Sequence, residues 1–342
     1  MKAAVWTGIN QIEIKEMPMP VLNDGETLIK VNCAGVCVTD YHIISGKLKI
    51  GKYPNVQGHE ICGEVVEIKG DTYGLQKGQR CVIATSLGCG KCEYCKEGKQ
   101  YLCKDSSEIG YYPHNGGYAE YLKVPTYAVV PIPKEVSNYA GAILESCVCP
   151  TESIMRVGVP LNSTVFVTGV GPAGLAYIML SKLMGAGKVI ALVRGDFKAN
   201  RAKEFGADLT IDTTKTPDFV SEILRLTNGN GADVVLEATG AGEIITKCVY
   251  ATKKGGTMVL YGIPGDSEQV ILPVKDVIVN EITLTGAVGN TKAWYPLVEL
   301  IKNGKLDMEK LVTHKFKLEQ INEAFDLYRT HNKELIKAVI EF

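Results

Sequence analysis

Four cysteines lie close together in the run Cys89-Gly-Lys-Cys92-Glu-Tyr-Cys95-Lys-Glu-Gly-Lys-Gln-Tyr-Leu-Cys103. The spacing is Cys-x2-Cys-x2-Cys-x7-Cys, so the four thiolates can close a tetrahedral sulfur shell around one metal ion. A shell of four sulfur ligands leaves no open coordination position for a substrate. The pattern therefore predicts a zinc ion in a structural role.

The alternative for these cysteines is a set of disulfides. The chain has 11 cysteines, an odd number, and Met1 leads into strand-like sequence without a secretory segment. Thiols stay reduced in the cytosol, where clustered cysteines usually bind metal. We therefore expect a cytoplasmic protein with a zinc-bound cluster. A four-cysteine iron centre is a weaker alternative, because rubredoxin-like centres use two separated cysteine pairs.

Length and charge exclude several classes of protein. A chain of 342 residues exceeds one ordinary hydrophobic core, which favours two domains. Lys and Arg total 37 against 38 Asp and Glu, without the basic stripe of a nucleic-acid-binding protein or the polybasic segment of a membrane-surface protein. No apolar run approaches the length of about 20 residues that spans a membrane. We expect neither nucleic acid nor membrane as a partner.

The pattern of the chain changes near Pro150. Before it, short apolar or alternating runs at 27–32, 63–68 and 118–124 are separated by Gly, Pro and Asp, which predicts a β-barrel-like domain. From Thr164 onward, apolar runs alternate with amphipathic helical stretches, which is typical of a doubly wound parallel sheet. The predicted strands there are 164–168, 188–193, 234–237, 257–261 and 282–286.

The C-terminal tail bears on the domain division. Beyond residue 287 it contains two helical segments and two short strand candidates, which is too little to fold alone. We expect the tail to pack back on the first domain. The prediction is an α/β protein with a discontinuous domain of residues 1–149 and 288–342 and a second domain of residues 150–287.

A glycine-rich turn follows the first predicted strand of the second domain. The strand 164–168 runs into Gly169-Val-Gly171-Pro172-Ala173-Gly174 and then into a helix. A G-x-G-x-x-G turn that ends a strand, opens a helix and starts a βαβ repeat is a specific dinucleotide-binding signature. The first glycine makes the tight turn, the second lets the pyrophosphate approach the backbone, and the third lets helix and strand pack closely. The alternative is a tight turn without a ligand.

The end of the next strand indicates which dinucleotide is bound. A carboxylate about 20 residues past the glycines normally holds the adenosine ribose 2'-hydroxyl of NAD. This chain has Val193-Arg194-Gly195 there, and a missing carboxylate beside an arginine fits the 2'-phosphate of NADP, with Lys198 in support. In the alternative, Arg194 stacks on the adenine and Asp196 reaches back to serve NAD. The expected cofactor is therefore NAD(P), with NADP favoured.

Three other segments contain a second set of possible metal ligands: Gly35-Val-Cys37-Val-Thr39-Asp40-Tyr-His42, Gly58-His59-Glu60-Ile-Cys-Gly63 and Leu144-Glu145-Ser-Cys147-Val-Cys149. With these segments, the four-cysteine run and the glycine turn in this order, the chain resembles the zinc-containing medium-chain alcohol dehydrogenases. It is most similar to their polyol (sorbitol) and threonine dehydrogenase branch, over essentially the whole length. The segments Gly116-Gly-Tyr-Ala-Glu120-Tyr, Glu237-Ala-Thr-Gly240 and Gly255-Gly-Thr-Met-Val-Leu agree with the resemblance.

The resemblance implies a GroES-like β-barrel catalytic domain and a Rossmann domain, with the active site in the cleft between them. It implies Cys37 and His59 as ligands of a catalytic zinc, with Glu60 against the zinc directly or through water. The third family position is Cys in many alcohol dehydrogenases and Glu in the polyol branch, and matching the segment places Glu145 there. Because this chain departs from the usual Glu-Pro by having Glu-Ser, Cys147 and Cys149 are alternatives.

The resemblance also implies roles for residues around the zinc. Asp40 resembles the carboxylate that accepts the N–H of the ligand histidine, which fixes the tautomer. Catalytic zinc keeps an open position in which an alcohol is acidified, so a proton must leave the site. Thr39 could contact the substrate oxygen and His42 could pass the proton outward. In isolation, Cys37 would be a buried small hydrophobe and His42 a surface histidine, but the joint occurrence of the three segments favours the ligand assignment.

The sequence thus predicts a zinc- and NAD(P)-dependent dehydrogenase that transfers hydride between a secondary alcohol, such as a polyol, sugar or hydroxy compound, and the nicotinamide. One rival is an NADPH-dependent reductase of aldehydes or ketones in vivo. A second rival is a non-catalytic zinc- and nucleotide-binding sensor, which would be expected to lose the second set of ligands. We expect a small-molecule substrate as partner, and the resemblance implies a homodimer or homotetramer.

Overall fold

The computed structural model describes residues 1–265, 268–286, 288 and 291–342. The chain forms two compact units, Met1–Val148 with Gly289–Phe342, and Cys149–Val288. The division expected from the sequence, 1–149 with 288–342 against 150–287, remains a proposal about where each domain ends, and its boundary residue Ala287 lies outside the described residues. Within the described ranges, no helix has the length and apolar character needed to cross a membrane.

The strands of the described residues are β1 (Lys2–Gly8), β2 (Gln11–Glu16), β3 (Glu26–Val36), β4 (Asn55–Val56), β5 (Glu60–Lys69), β6 (Arg80–Ile83), β7 (Ser86–Leu87), β8 (Ser107–Glu108), β9 (Tyr121–Pro125), β10 (Val129–Pro131), β11 (Thr164–Thr168), β12 (Lys188–Val193), β13 (Leu209–Asp212), β14 (Ala232–Glu237), β15 (Thr252–Leu260), β16 (Thr283–Gly286), β17 (Val312–Lys317) and β18 (Lys337–Glu341). Their α-helices are α1 (Val38–Ile44), α2 (Glu93–Lys96), α3 (Asn138–Ala142), α4 (Glu145–Val157), α5 (Pro172–Leu183), α6 (Asp196–Glu204), α7 (Phe219–Leu226), α8 (Gly242–Ala251), α9 (Val274–Val279), α10 (Trp294–Lys302) and α11 (Ile321–Arg329).

The first unit is built on mostly antiparallel strands. Its larger sheet has the order β10-β6-β5-β3-β18-β17, and β9 also pairs with β3. Strand β9 alternates between buried and partly exposed residues, as expected for a strand with one face on a core. The C-terminal strand β18 pairs antiparallel with β3, with Ala338 opposite Val36. The C-terminal tail is therefore part of this unit's main sheet.

The register of β3 against β5 positions the segments that contain the second set of ligands. Gly35 near the end of β3 lies opposite Glu60 at the start of β5. Cys37 directly follows β3 as the N-cap of α1, and His59 directly precedes β5. Two segments more than 20 residues apart in the chain are therefore brought to the same edge of the sheet by strand pairing.

The second unit contains a parallel sheet with the order β13-β12-β11-β14-β15-β16. The strands expected at 164–168, 188–193, 234–237, 257–261 and 282–286 correspond to β11, β12, β14, β15 and β16. These near-continuous apolar runs suit a sheet buried on both faces. The prediction omitted β13, because this strand has only four residues and begins with the partly exposed Leu209.

Candidate metal and cofactor sites

The four cysteines of the first motif converge in the structure. The sulfur atoms of Cys89, Cys92, Cys95 and Cys103 all lie within 4.8 Å of one another. Helix α2 begins after Cys92, whose sulfur accepts a hydrogen bond from the backbone N–H of Cys95 at 3.5 Å. Backbone N–H donors, first that of Lys91, lower the pKa of Cys89 to about 6. Four convergent sulfur atoms fit a closed tetrahedral metal site.

Cys37, His59 and Glu60 form a second group of converging donor atoms. One sulfur, one ring nitrogen and one carboxylate oxygen lie within 4.8 Å of one another. His59 and Glu60 are buried and Cys37 is half-buried. Three mixed N, O and S donors suit zinc with one coordination position left for another ligand.

The ring of His59 is oriented by Asp40. His59 Nδ1 lies 3.0 Å from Asp40 Oδ1, and the hydroxyl of Tyr118 donates to Asp40 Oδ2 at 2.6 Å. Asp40 is fully buried. As the carboxylate accepts the Nδ1–H, the lone pair of Nε2 remains for a metal. This is the contact that the sequence analysis expected for Asp40.

Glu60 is held by a lysine from the far end of the chain. Lys337 Nζ on β18 donates to Glu60 Oε1, and the two side chains are 3% and 0% exposed. Oε2 of Glu60 is buried and accepts no hydrogen bond from the residues that the structure describes. Gly35 leaves the room that this oxygen occupies, since a Cβ there would lie 1.9 Å from Oε2. A buried oxygen without a hydrogen-bond donor fits a metal ligand.

Lys337 was missed by the sequence analysis. The sequence feature that could have identified it is the position of a single lysine within the otherwise apolar run Ile336-Lys337-Ala338-Val339-Ile340. A lysine is rarely fully buried unless it is paired. Burial lowers the pKa of Lys337, but its interactions with Glu60, Cys37 and Tyr328 together outweigh this effect and raise the pKa above its usual value.

Glu145 lies beside the second group rather than within it. Its Oε2 is 3.9 Å from Nε2 of His59, but Glu145 does not belong to the set of donors within 4.8 Å of one another. Burial raises the pKa of Glu145 to about 7. Cys147, two residues further along α4, is fully buried. Glu145 as a zinc ligand, with Cys147 and Cys149 as alternatives, stays a prediction.

Thr39 and His42 both lie on α1, the helix that follows Cys37. They are three residues apart, so they share one face of the helix. Both are half-buried. Burial, with a smaller effect of the Lys47 ammonium, lowers the pKa of His42 below its usual value. The neutral ring that this favours near pH 7 can accept a proton.

The glycine turn of the second unit has the geometry that the motif requires. Gly169 has a φ of +82°, and a Cβ at Gly174 would lie 1.8 Å from the carbonyl oxygen of Gly169. Gly171 caps the N-terminus of α5, with Pro172 at the first helical position and Ala173 next. A Cβ at Gly171 would meet no heavy atom within 4 Å, so there is open space at this helix end. A phosphate fits such a turn.

The residues after β12 place a basic side chain at the surface. Val193 is buried and Arg194 is exposed, and Gly195 has a φ of +88°. The N–H of Gly195 donates to Asp212 at 3.1 Å, and Asp196 pairs with Lys215 at 2.6 Å. Both nearby carboxylates are thus already bonded to groups of the protein.

Lys198 lies in the first turn of α6, the helix that begins at Asp196. Burial lowers the pKa of Lys198 to about 8. Its ammonium lies 5.8 Å from the centre of the Phe197 ring. Lys198 is thus close in sequence to Arg194 but less exposed.

Two protein-family models match the chain. The alcohol dehydrogenase GroES-like domain matches residues 23–134, and the zinc-binding dehydrogenase model matches residues 172–303. The chain is 30% identical to a sorbitol dehydrogenase of Bacillus subtilis, over 99% of the chain and 97% of that protein. It is 33% identical to an L-threonine 3-dehydrogenase of Pyrococcus horikoshii, over 93% and 92% of the two chains.

Solved structures show the same fold. A putative zinc-binding dehydrogenase of Sinorhizobium meliloti bound to NADP has a TM-score of 0.92 and 27% identity, covering 100% of this chain and 99% of that chain. An alcohol dehydrogenase of E. coli CFT073 in complex with NADH has a TM-score of 0.91 and 27% identity, with the same coverage. The expected GroES-like and Rossmann architecture is confirmed. The chain belongs to the zinc-containing medium-chain alcohol dehydrogenases, in the polyol and threonine dehydrogenase branch, and it is an oxidoreductase of alcohols that uses a nicotinamide cofactor.

Proposed function

We propose that this enzyme interconverts a small secondary alcohol with further polar groups, such as a polyol, sugar or hydroxy compound, and the corresponding carbonyl compound. The observation that carries the proposal is the second donor group, in which the buried Oε2 of Glu60 accompanies Cys37 and His59. Cys37, His59 and Glu60 would hold the zinc, with Glu145, whose Oε2 lies 3.9 Å from His59 Nε2, as a further ligand. When bound, zinc supplies Lewis-acid polarisation of the substrate oxygen.

The residues around these ligands would orient the site and move the proton. Asp40 keeps the proton of His59 on Nδ1, so that Nε2 remains a ligand. Thr39 Oγ1 would accept the hydrogen of the substrate hydroxyl, and a ring nitrogen of His42 would receive the proton and release it to solvent. The lowered pKa of His42 favours the neutral ring that this transfer needs.

Cys89, Cys92, Cys95 and Cys103 would hold a second zinc in a structural role. Four sulfur donors saturate a tetrahedral ion, so this site can bind no substrate. Its contribution would be to the stability of the loop that contains the cysteines. Metal-bound thiolates also require reduced cysteines, which suits a cytoplasmic enzyme.

The dinucleotide would bind at the glycine turn 169–174, with its pyrophosphate at the N-terminus of α5. We propose NADP as the preferred form. Val193 provides no carboxylate for a ribose hydroxyl, Arg194 is exposed beside it, and Asp196 is paired with Lys215. The solved relatives include one bound to NADP and one bound to NADH, so the preference depends on this chain's own residues. NAD bound through Asp196 is the alternative.

The first experiment is a measurement of initial rates with NADP+ and with NAD+ across one panel of polyols, sugars, hydroxy acids and simple alcohols. Turnover of a polyol or sugar preferentially with NADP+ would support both the substrate class and the role of Arg194. Turnover with NAD+ alone would contradict the cofactor preference. Turnover only in the direction of carbonyl reduction would favour the rival function, an NADPH-dependent aldehyde or ketone reductase.

A matched pair of variants isolates the cofactor preference. Arg194→Ala is expected to raise the KM for NADP+ by about tenfold or more, because a charge-assisted contact to phosphate is lost, and to leave the KM for NAD+ within about twofold. Arg225→Ala, which removes another exposed arginine of the second unit, is the control. Equal effects on the two cofactors would contradict the assignment.

We also propose that the enzyme is a homodimer or homotetramer. Strand β16 is the last strand of the parallel sheet, and unpaired strand edges favour pairing with another chain. In the segment that precedes β16, Ile271, Ile278 and Val279 are exposed by 76%, 69% and 69%. Exposed large apolar side chains favour an interface with another chain when they lie together. Light scattering after size-exclusion chromatography tests the proposal, and Ile278→Glu should shift the mass toward the monomer.

A further inference from the structure

Glu237 is a buried carboxylate to which the proposed metal and phosphate sites assign no role. It is the last residue of β14 and is 0% exposed. It lies directly opposite Thr168, the residue of β11 that precedes the glycine turn. The order of the sheet reverses between β11 and β14, and dinucleotides bind outside the carboxyl ends of the strands at such a point. Glu237 therefore lies at the edge of the sheet where the cofactor is expected.

The side chain of Glu237 connects two loops at this edge. Its Oε1 accepts hydrogen bonds from Thr168 Oγ1 at 3.1 Å and from the backbone N–H of Thr239 at 2.7 Å, and also from the Thr239 hydroxyl. The N–H of Gly240 lies 3.2 Å from Oε1 and 3.3 Å from Oε2. The end of β11 and the loop after β14 are thus bonded to the same carboxylate.

The backbone of Glu237 adds a third loop. Its carbonyl oxygen accepts hydrogen bonds from the N–H groups of Tyr261 at 3.0 Å and Gly262 at 3.1 Å, which follow β15. The loops that follow β11, β14 and β15 are therefore all connected through one residue.

These loops are packed without spare room. A Cβ at Gly169 would lie 3.0 Å from Cγ2 of Thr239. A Cβ at Gly262 would lie 2.0 Å from the backbone nitrogen of Gly240. Because the loops are in van der Waals contact, a shift of residues 239–240 would move the glycine turn as well.

The hydrogen-bond donors around Glu237 require a carboxylate at this position, and not only a side chain of the same volume. The groups that face it are N–H and O–H donors, and an ionised carboxylate is the side chain that only accepts. A glutamine would place an N–H₂ group among these donors and would make weaker hydrogen bonds, since those to a charged acceptor are the stronger ones. A buried charge is costly unless its hydrogen bonds are satisfied, as they are here.

We propose that Glu237 is a positioning residue for the dinucleotide: it fixes the loops after β11, β14 and β15 in the arrangement that receives the pyrophosphate and ribose groups. This inference rests on the proposed cofactor site at the glycine turn. Glu237 acts through Thr168, Thr239 and Gly240 and does not itself bind the cofactor.

Asp233, on the same strand, provides a matched control. Asp233 lies near the amino end of β14, accepts the N–H of Thr164 at 2.8 Å and pairs with Lys253 at 2.6 Å. It thus bonds the first residue of β11, as Glu237 bonds the last. Glu237→Gln and Asp233→Asn each replace a carboxylate by an amide, at opposite ends of strand β14.

The experiment is calorimetric titration of the zinc-loaded wild type and both variants with NADP+ and with NAD+, together with thermal unfolding and zinc content. Glu237→Gln is expected to raise the Kd of the preferred dinucleotide by about tenfold. Asp233→Asn should raise it by less than about twofold, since the cofactor is expected at the carboxyl ends of the strands, where Glu237 lies, and not at their amino ends. In steady-state kinetics, the KM for the cofactor should rise more than kcat falls at saturating cofactor.

The outcomes separate the inference from the cofactor site on which it rests. Wild-type protein that binds neither dinucleotide would overturn the site itself. Wild-type affinity in Glu237→Gln, or equal losses in both variants, would overturn only the role of Glu237. If Glu237→Gln does not fold, Thr168→Val removes a single hydroxyl from the carboxylate. An increase in Kd of about threefold would then support the inference, and an unchanged Kd would overturn it.

Discussion

The two groups of candidate metal ligands differ in how the chain assembles them. The four cysteines come from one short segment, and their spacing alone brings the sulfurs together around α2. Cys37, His59 and Glu60 meet because β3 pairs with β5, and Lys337 arrives from the last strand of the chain. A site formed by one segment can consist of four identical sulfur donors. A site assembled from distant segments can combine different donor atoms and place a lysine ammonium beside one of them.

The two groups also differ in which residues form hydrogen bonds to the donor side chains. Around the four-cysteine site, hydrogen bonds to sulfur come from the site's own backbone, as from Cys89 N to Cys103 Sγ at 3.4 Å. Around the second group, two of the donors are held by residues from three separate segments of the chain: Asp40, Tyr118 and Lys337. We therefore expect substitutions near the second group to change metal affinity without touching a ligand.

The largest effect is expected from Cys37→Ser, which removes a ligand of the second group only. Turnover should fall by about a thousandfold or more, because a catalytic metal provides several kcal/mol of transition-state stabilisation. The zinc content should fall from about two to about one per chain while the unfolding temperature changes little. Steady-state kinetics and elemental analysis measure both quantities. Unchanged turnover would refute the catalytic assignment of Cys37.

Lys337→Met is expected to weaken zinc binding at the second group by about 10- to 100-fold, the usual effect of losing a group that holds a ligand. In the metal-free protein, Glu60 would then be a buried carboxylate without a counter-charge, and breaking such a pair costs about 3–5 kcal/mol of stability. Competition with a chelator, and the absorption spectrum of the cobalt-substituted enzyme, report the affinity and geometry of this site separately from the four-cysteine site.

Two further variants control for the loss of a lysine. Lys337→Arg keeps the charge and should restore part of the zinc affinity. Lys317→Met removes a lysine on the adjacent strand that is 61% exposed and pairs with Glu341, and it should have almost no effect. A Lys337→Met enzyme with wild-type zinc affinity would show that the Glu60 contact does not support the metal.

Cys95→Ala tests the local site. It should release the structural zinc and speed irreversible thermal inactivation by at least about tenfold, while freshly prepared enzyme keeps kcat within about tenfold of the wild type. Cys248→Ala, at a buried cysteine of the second unit, is the control for loss of a buried sulfur. A complete loss of turnover in folded Cys95→Ala protein that retains one zinc would contradict the division of roles between the two sites.

The smallest effects are expected from Asp40→Asn and Tyr118→Phe. Asp40→Asn keeps an acceptor for His59 Nδ1 but removes the negative charge. Zinc affinity at the second group should fall by about tenfold. Tyr118→Phe, which removes one hydroxyl donor from Asp40, should have a smaller effect of about threefold. Chelator competition measures both. A larger loss in Tyr118→Phe than in Asp40→Asn would mean that packing, not the charge of Asp40, supports His59.

Much of the fold was predictable because its elements have strong local patterns. The apolar runs of β11, β12 and β14 and the glycine turn carry periodicity and spacing that predict a parallel sheet and its ligand. Strand β13 was missed, because four residues of mixed polarity carry too little pattern. The candidate ligands were also predictable as residue types, since Cys37, His59 and Glu60 lie in recognisable segments.

The sequence by itself determined the four-cysteine cluster, the glycine turn and the candidate donors, because each depends on residues that are neighbours in the chain. Only the tertiary structure showed how each carboxylate lies relative to Cys37 and His59. It places an oxygen of Glu60 within 4.8 Å of both, whereas Glu145 lies outside this group. It also revealed Lys337 and the loops around Glu237. The physical reason is strand pairing, which sets distances between residues far apart in sequence that no local pattern encodes.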